Sequence, residues 1–206
     1  MLREYVDISV DGFESTVGLM NFPMLVRVSE EKIKGFHYAR TAANGTDIRF
    51  TDENGKLLPH DIDTWNPEGE SLIWVKVPYM MKGTRIRMHW ALKRGFTPPV
   101  NVREDVWSDY VAVWHFSDAA RGQAEDATGY GFTAKMLGGG TLSVSDTSVF
   151  GVAGAAAGGK LESLDYEARY PVRGKFTLTG WYMAKNVTTF GTAASALFGK
   201  KGGTTP

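Results

Sequence analysis

Four separate stretches of this chain alternate apolar and polar residues with a period of two, and no other feature restricts its fold as strongly. In "FPMLVRVS" (22–29), Phe22, Met24, Val26 and Val28 alternate with Pro23, Leu25, Arg27 and Ser29. Ile48 and Phe50 do the same in "TDIRFTDENGKLL", as do Ile73, Val75 and Val77 in "SLIWVKVP", and Ile86, Met88, Trp90 and Leu92 in "TRIRMHWAL". Successive side chains of an extended chain point to opposite faces, so each stretch predicts a strand with one apolar face. "YVAVWHF" (110–116) predicts another, and Asn54-Gly55 predicts a hairpin turn. Helical periodicity is missing, although "SEEKIKGFHYAR" has room for one short turn. Strands at short spacing, punctuated by Asn, Gly and Pro, predict an all-β fold, an antiparallel β-sandwich. Its expected core is Phe22, Val26, Phe50, Ile73, Val75, Ile86 and Met88, with Trp90 beside them.

Charge and cysteine usage narrow the functional classes. The 23 Lys plus Arg balance 23 Asp plus Glu, which leaves no net field to draw the chain to nucleic acid or an anionic membrane. With no cysteine there is no disulfide framework, thiolate zinc site or cysteine nucleophile. No apolar run reaches membrane-spanning length, so direct membrane insertion is not expected, and "MLREYVDISV" lacks the order of a signal peptide. "GAAAGGKL" (154–161) has Gly154, Gly159 and Lys160 at phosphate-loop spacing. Leu161, however, stands where magnesium needs Ser or Thr, and a turn in a β protein is the expected reading.

Composition shifts along the chain. Eight of the 24 glycines fall in residues 1–115 and sixteen after them. "LKRGFTPPVNVREDVW" (92–107) reads as a connector, which predicts two domains, 1–105 and 106–206.

Candidate contact residues gather in "LPHDIDTWNPEGESLIWVKVP" (57–77). Asp61 and Asp63 are two apart on a strand, so they share a face about 7 Å apart, a spacing open to a pair of glycosidase carboxyls. Without a second catalytic element, acids beside a turn are expected to be solvated or to bind backbone amides. His60 and His89 match no metal-ligand spacing and read as surface histidines. Trp74 falls on the face opposite Ile73, Val75 and Val77. Trp65, beside Asn66-Pro67, is the tryptophan expected to be most open, either as a platform for a sugar ring or as a loop anchor.

The blocks "NFPMLVRV", "GTDIRFTDENGKLLPHDIDTW", "GESLIWVKVP" and "RIRMHWA" together resemble a bacterial domain of unknown function that commonly precedes laminin-G-like domains, over about residues 5–105. Asp61 departs from that pattern, where Glu is expected. "YVAVWHFSDAARGQAEDATGYGFTA", "GVAGAAAGGKLESL" and "KFTLTGWYMAK" resemble the opening of a laminin-G or concanavalin A-like jelly roll, broken off in mid-domain at residue 206. The resemblance implies a non-catalytic secreted or cell-surface module that recognises glycans or surface polymers within a larger protein. It also implies two alternatives: an extracytoplasmic accessory region of a biopolymer-transport proton-channel protein, or a targeting module of a glycoside hydrolase. It further implies a calcium ion near one edge of the jelly roll, for which Asp126, near Asp118, Thr128 and Gly129, is the candidate ligand; an Asx-type turn is the competing role.

Overall fold

A computed structural model describes residues 4–91, 103–145, 148, 151–163, 177–181 and 183. Two compact units divide the chain, Met1–Pro171 and Val172–Pro206.

The alternating stretches form two antiparallel sheets. β1 (Glu4–Ser9), β7 (Arg85–Trp90), β3 (Arg49–Asp52) and β4 (Leu57–Leu58) make one, in that spatial order; β2 (Leu19–Val28), β6 (Ser71–Met80) and β5 (His60–Thr64) make the other. One apolar core joins them. Val26, Val28, Ile73, Val75 and Val77 come from the second sheet and Phe50, Leu58, Ile86, Met88 and Trp90 from the first, all buried. Each such side chain removed from water contributes about 1.5–3 kcal/mol, so this cluster dominates the stability of the unit. The architecture is the antiparallel sandwich expected from the alternation. Phe22 is a correction in detail: it is half-buried, because it lines a cleft of about 410 Å³ with Ile8, Val10, Phe13, Met24 and Met80.

Short-range signals also hold. Asp52 and Lys56 bracket the turn after β3, where the Asp52 carboxylate accepts from the amides of Asn54 (2.9 Å) and Lys56 (2.8 Å) while Gly55 takes φ 81°. The segment "SEEKIKGFHYAR" supplies the 3-10 turn Tyr38–Arg40 and adds Ile33, Phe36 and Tyr38 to the core, with Phe36 edge-on to Trp90 at 5.4 Å.

Beyond residue 102 the elements are smaller. A four-residue helix, α1 (Arg103–Val106), precedes β8 (Gln123–Ala124), β9 (Ala134–Leu137), β10 (Thr141–Ser145), β11 (Ala153–Ala157) and β12 (Lys160–Ser163). They pair antiparallel as β12–β9–β8 and β10–β11. "YVAVWHF" is a correction: in place of a strand it makes a single bridge, Trp114 to Asp126, and Phe116 sits at φ 63°, which breaks the extended run. "GAAAGGKL" is β11, a two-glycine turn and β12, with no helix to complete a phosphate loop. A Cβ on Gly159 would lie 2.0 Å from the Leu137 carbonyl oxygen, so the turn demands glycine there.

In the second unit, residues 177–181 and 183, the described part of "KFTLTGWYMAK", carry neither helix nor strand, where the resemblance to a laminin-G-like sandwich implies a strand. The connector residues 92–102, the segment 164–176 and residues 184–206, which include "ASALFGK", lie outside the described residues.

Candidate functional site

Because β5 and β6 alternate, the residues that do not enter the core project from the opposite face of their sheet: Asp61 and Asp63 from β5, Trp74 and Lys76 from β6. The two acids were expected to be solvated or to bind nearby backbone amides. Instead residues 103–117 fold back over it and bury both. The side chains of Asp61, Asp63 and His115 are 6%, 8% and 7% exposed.

The geometry converges on Asp61. Trp107 Nε1 donates to its Oδ2 at 2.9 Å, His115 Nε2 reaches the same oxygen at 3.0 Å, and Arg103 Nε stands 3.5 Å away. Hydrogen bonding to that carboxylate places a proton on Nε2 of His115. The other ring nitrogen, Nδ1, faces Asp63 Oδ2 at 3.6 Å, and Asp63 also accepts from Trp74 Nε1 at 3.3 Å and from the Ser117 side chain. His115 lies parallel to Trp74 (centroids 6.0 Å, 15°) and is tilted against Trp107 at 5.3 Å. Lys76 extends the joint: its ammonium donates to Ser108 Oγ at 2.7 Å and the Asp105 carbonyl at 3.2 Å, and pairs with Asp109 at 3.0 Å. Val106, Trp107 and Ala127, with Trp74 and Val113, form a small apolar cluster beside these bonds.

The two carboxyls are pushed in opposite directions. Burial raises the Asp61 pKa, but hydrogen bonds from His115 and Trp107 and the charges of His115 and Arg103 outweigh it, leaving it below the ordinary value. For Asp63 burial wins over His115, Trp74 and Ser117, and its pKa is raised. Asp61 is therefore the ionised partner of the joint and Asp63 the reluctant one. Neither carboxylate addresses an open cleft. The arrangement fastens a segment to a sheet.

The remaining candidates are placed elsewhere on the sandwich. Trp65 is half-buried, edge-on to Tyr38 at 5.1 Å, and its ring fills the space a Cβ on Gly45 would need (2.5 Å), so it anchors the 43–45 turn. His60 is not a surface histidine. It is buried against Phe50 at 5.4 Å; burial first, and the Arg49 charge second, push its pKa down to about 4. His89 is partly buried and meets Thr51 Oγ1 at 3.1 Å.

Asp126 does not fit a calcium ion. Oδ1 accepts from the amides of Val113 (2.9 Å) and Thr128 (3.0 Å), and Oδ2 from Thr128 Oγ1 (2.6 Å) and the Phe132 amide (2.9 Å). Four donors already converge on the oxygens a cation would share, and no group of three His, Asp or Glu able to hold a metal occurs among the described residues. The Asx-type role is the one this donor set matches. Asp118 is used similarly, accepting from the Glu125 amide at 2.7 Å.

Sequence reasoning did not single out Trp107, His115, Arg103 or Lys76. A signal was present: "REDVWSDY" places a tryptophan in a charged connector, where a solvated segment has no use for one.

Residues 44–125 match a family described as a domain of unknown function (DUF2341). The match takes in β3 to β7 and the whole of the Asp61–His115 joint, and it crosses the 105/106 boundary expected from sequence. No curated protein and no solved structure matches the chain. No helix among the described residues is long and apolar enough to cross a membrane.

Proposed function

We propose that this chain is a non-catalytic binding module of a larger exported protein, recognising glycans or other surface polymers, with residues 106–206 opening a laminin-G/concanavalin A-like sandwich. One observation supports the non-catalytic half: Asp61 and Asp63, the paired carboxyls a glycosidase would need, both face the same imidazole behind Trp74 and Trp107. General acid and nucleophile must stand on either side of a substrate bond, and here that space is filled by His115. The exposed faces of the sandwich are the surface that a recognition role would use. Incubating the protein with mixed polysaccharides should release no reducing sugar, whereas a glycan array should show weak, avidity-dependent signals. Release of reducing sugar at enzymatic rates would defeat the reading, and so would a silent array.

A further inference from the structure

The outward face of the β1–β7–β3 sheet carries a set of side chains that the sandwich does not use for packing. Register places Tyr5 opposite His89, Asp7 opposite Arg87 and Ser9 opposite Arg85, with Thr51 on the other side of Arg87. Residues two apart on a strand share a face, so Tyr5, Asp7, Ser9, Arg85, Arg87 and His89 stand away from the core that Ile86, Met88 and Phe50 enter, whereas Thr51 on that face is itself buried. Tyr5 is 53% exposed. Arg87 is held in place from two sides: its guanidinium carbon lies 4.2 Å from the Tyr5 ring centroid, and its Nε and Nη2 donate to the Asp7 carboxylate at 2.6 and 3.2 Å. His89 lies 6.1 Å from Tyr5, ring to ring. Arg85 is exposed and makes no hydrogen bond or ion pair among the described residues. Two guanidiniums thus face one carboxylate on a chain whose overall charge is zero.

Each part of this face has a use toward a charged sugar. A guanidinium fork matches the two oxygens of a carboxylate, and it keeps its charge at any working pH. An exposed tyrosine ring offers a flat apolar surface with little rotamer entropy to lose. Arg85 and Arg87, on alternate residues of β7, stand about 7 Å apart, so both can engage one polymer. We infer that this face binds an acidic polysaccharide, with Tyr5 stacking on a sugar ring and Arg85 and Arg87 pairing with its carboxylates. The inference rests on the reading of the chain as a polymer-binding module and assigns that reading a surface and a ligand class. Asp7 orients Arg87 and competes with the ligand for it.

Affinity electrophoresis of the 206-residue protein through gels containing polygalacturonate, dextran or polyglutamate tests this. Polygalacturonate should retard the protein, and salt should weaken the retardation because the charges are exposed. Tyr5→Ala and Arg87→Ala should each lower affinity about tenfold. Arg85→Ala, at an exposed position with no hydrogen bond or ion pair among the described residues, should lower it with little change in melting temperature, and Asp7→Asn should raise it. Equal retardation by polyglutamate, or polygalacturonate binding indifferent to Tyr5→Ala and Arg85→Ala, would overturn the assignment. Retardation by dextran alone would overturn it too while leaving the polymer-binding reading standing. Retardation by none of the three would remove both.

Discussion

Residues 4–91 and the described residues between 119 and 163 both pair as antiparallel β, yet they are held together differently. The first region buries large side chains, with Phe36, Ile48, Phe50, Ile73, Val75 and Met88 fully shielded between its sheets. The second has a core of Ala119, Ala124, Ala134 and Leu142, against which Trp114, Phe116, Met136 and Leu161 pack from the side. Apart from the fully buried Phe132, these core side chains are mostly alanine and remove little apolar area from water, so the second region leans more on specific hydrogen bonds, above all the four to Asp126. Between them lies the Asp61–His115 joint, buried and polar. The lesson is that one architecture can rest mainly on burial in one place and more on directed side-chain bonds in another.

The largest effect should come from the burial-held region. Phe50→Ala should cost about 4 kcal/mol, read as a shift in urea midpoint, whereas Leu142→Ala should cost about 2 kcal/mol and leave hydrogen-exchange protection in β6 unchanged. Equal costs would erase the contrast between the regions.

At the joint the two aspartates should separate. Asp61→Asn removes the charge facing His115 and Arg103 and should destabilise by about 3 kcal/mol. The stability that Asp61 contributes is present above its ordinary pKa and is lost as pH falls through its lowered folded value.

Acid should reveal His60 first. Its folded pKa of about 4 lies below the ordinary 6.5, so the unfolded chain takes up the proton more readily. Stability is full above pH 6.5 and falls by about 3 kcal/mol as pH drops from 6.5 to 4. Urea titrations of wild type and His60→Leu across that range should show this loss of stability toward acid disappear in the variant. A loss that persists would place the titrating group elsewhere.

The smallest effect belongs to Asp63→Asn, within about 1 kcal/mol, since the amide oxygen still accepts from Trp74 and a charge disfavoured by burial disappears. Asp63 runs opposite to Asp61 with pH: a raised folded pKa contributes stability at low pH that is lost as pH rises through it. An Asp63→Asn cost matching that of Asp61→Asn would mean that both carboxyls are ionised in the joint.

The sandwich was legible because its signal is local. Alternation in β2, β3, β6 and β7 states which side chains share a face, and Asn54-Gly55 states where the chain reverses; neither needs knowledge of what lies across the core. Phe22 and "YVAVWHF" mark the limit, since partial burial and a bridge in place of a strand depend on neighbours that alternation does not name. The joint was half legible. Asp61, Asp63 and Trp74 were readable as an outward cluster, but their partners are distant in the chain, with Trp107 46 and His115 54 residues from Asp61. No spacing rule spans such a distance, because only the fold brings the segments together. The sequence by itself determined the strands β2, β3, β6 and β7, their inward faces and the reversal between β3 and β4, since backbone geometry makes side-chain direction a matter of counting by twos. Tertiary structure alone decided that His60 is buried, that Asp126 is filled by amide and hydroxyl donors, and that Asp61 and Asp63 close a joint. The fate of a polar group depends on which donors reach it once water has been excluded.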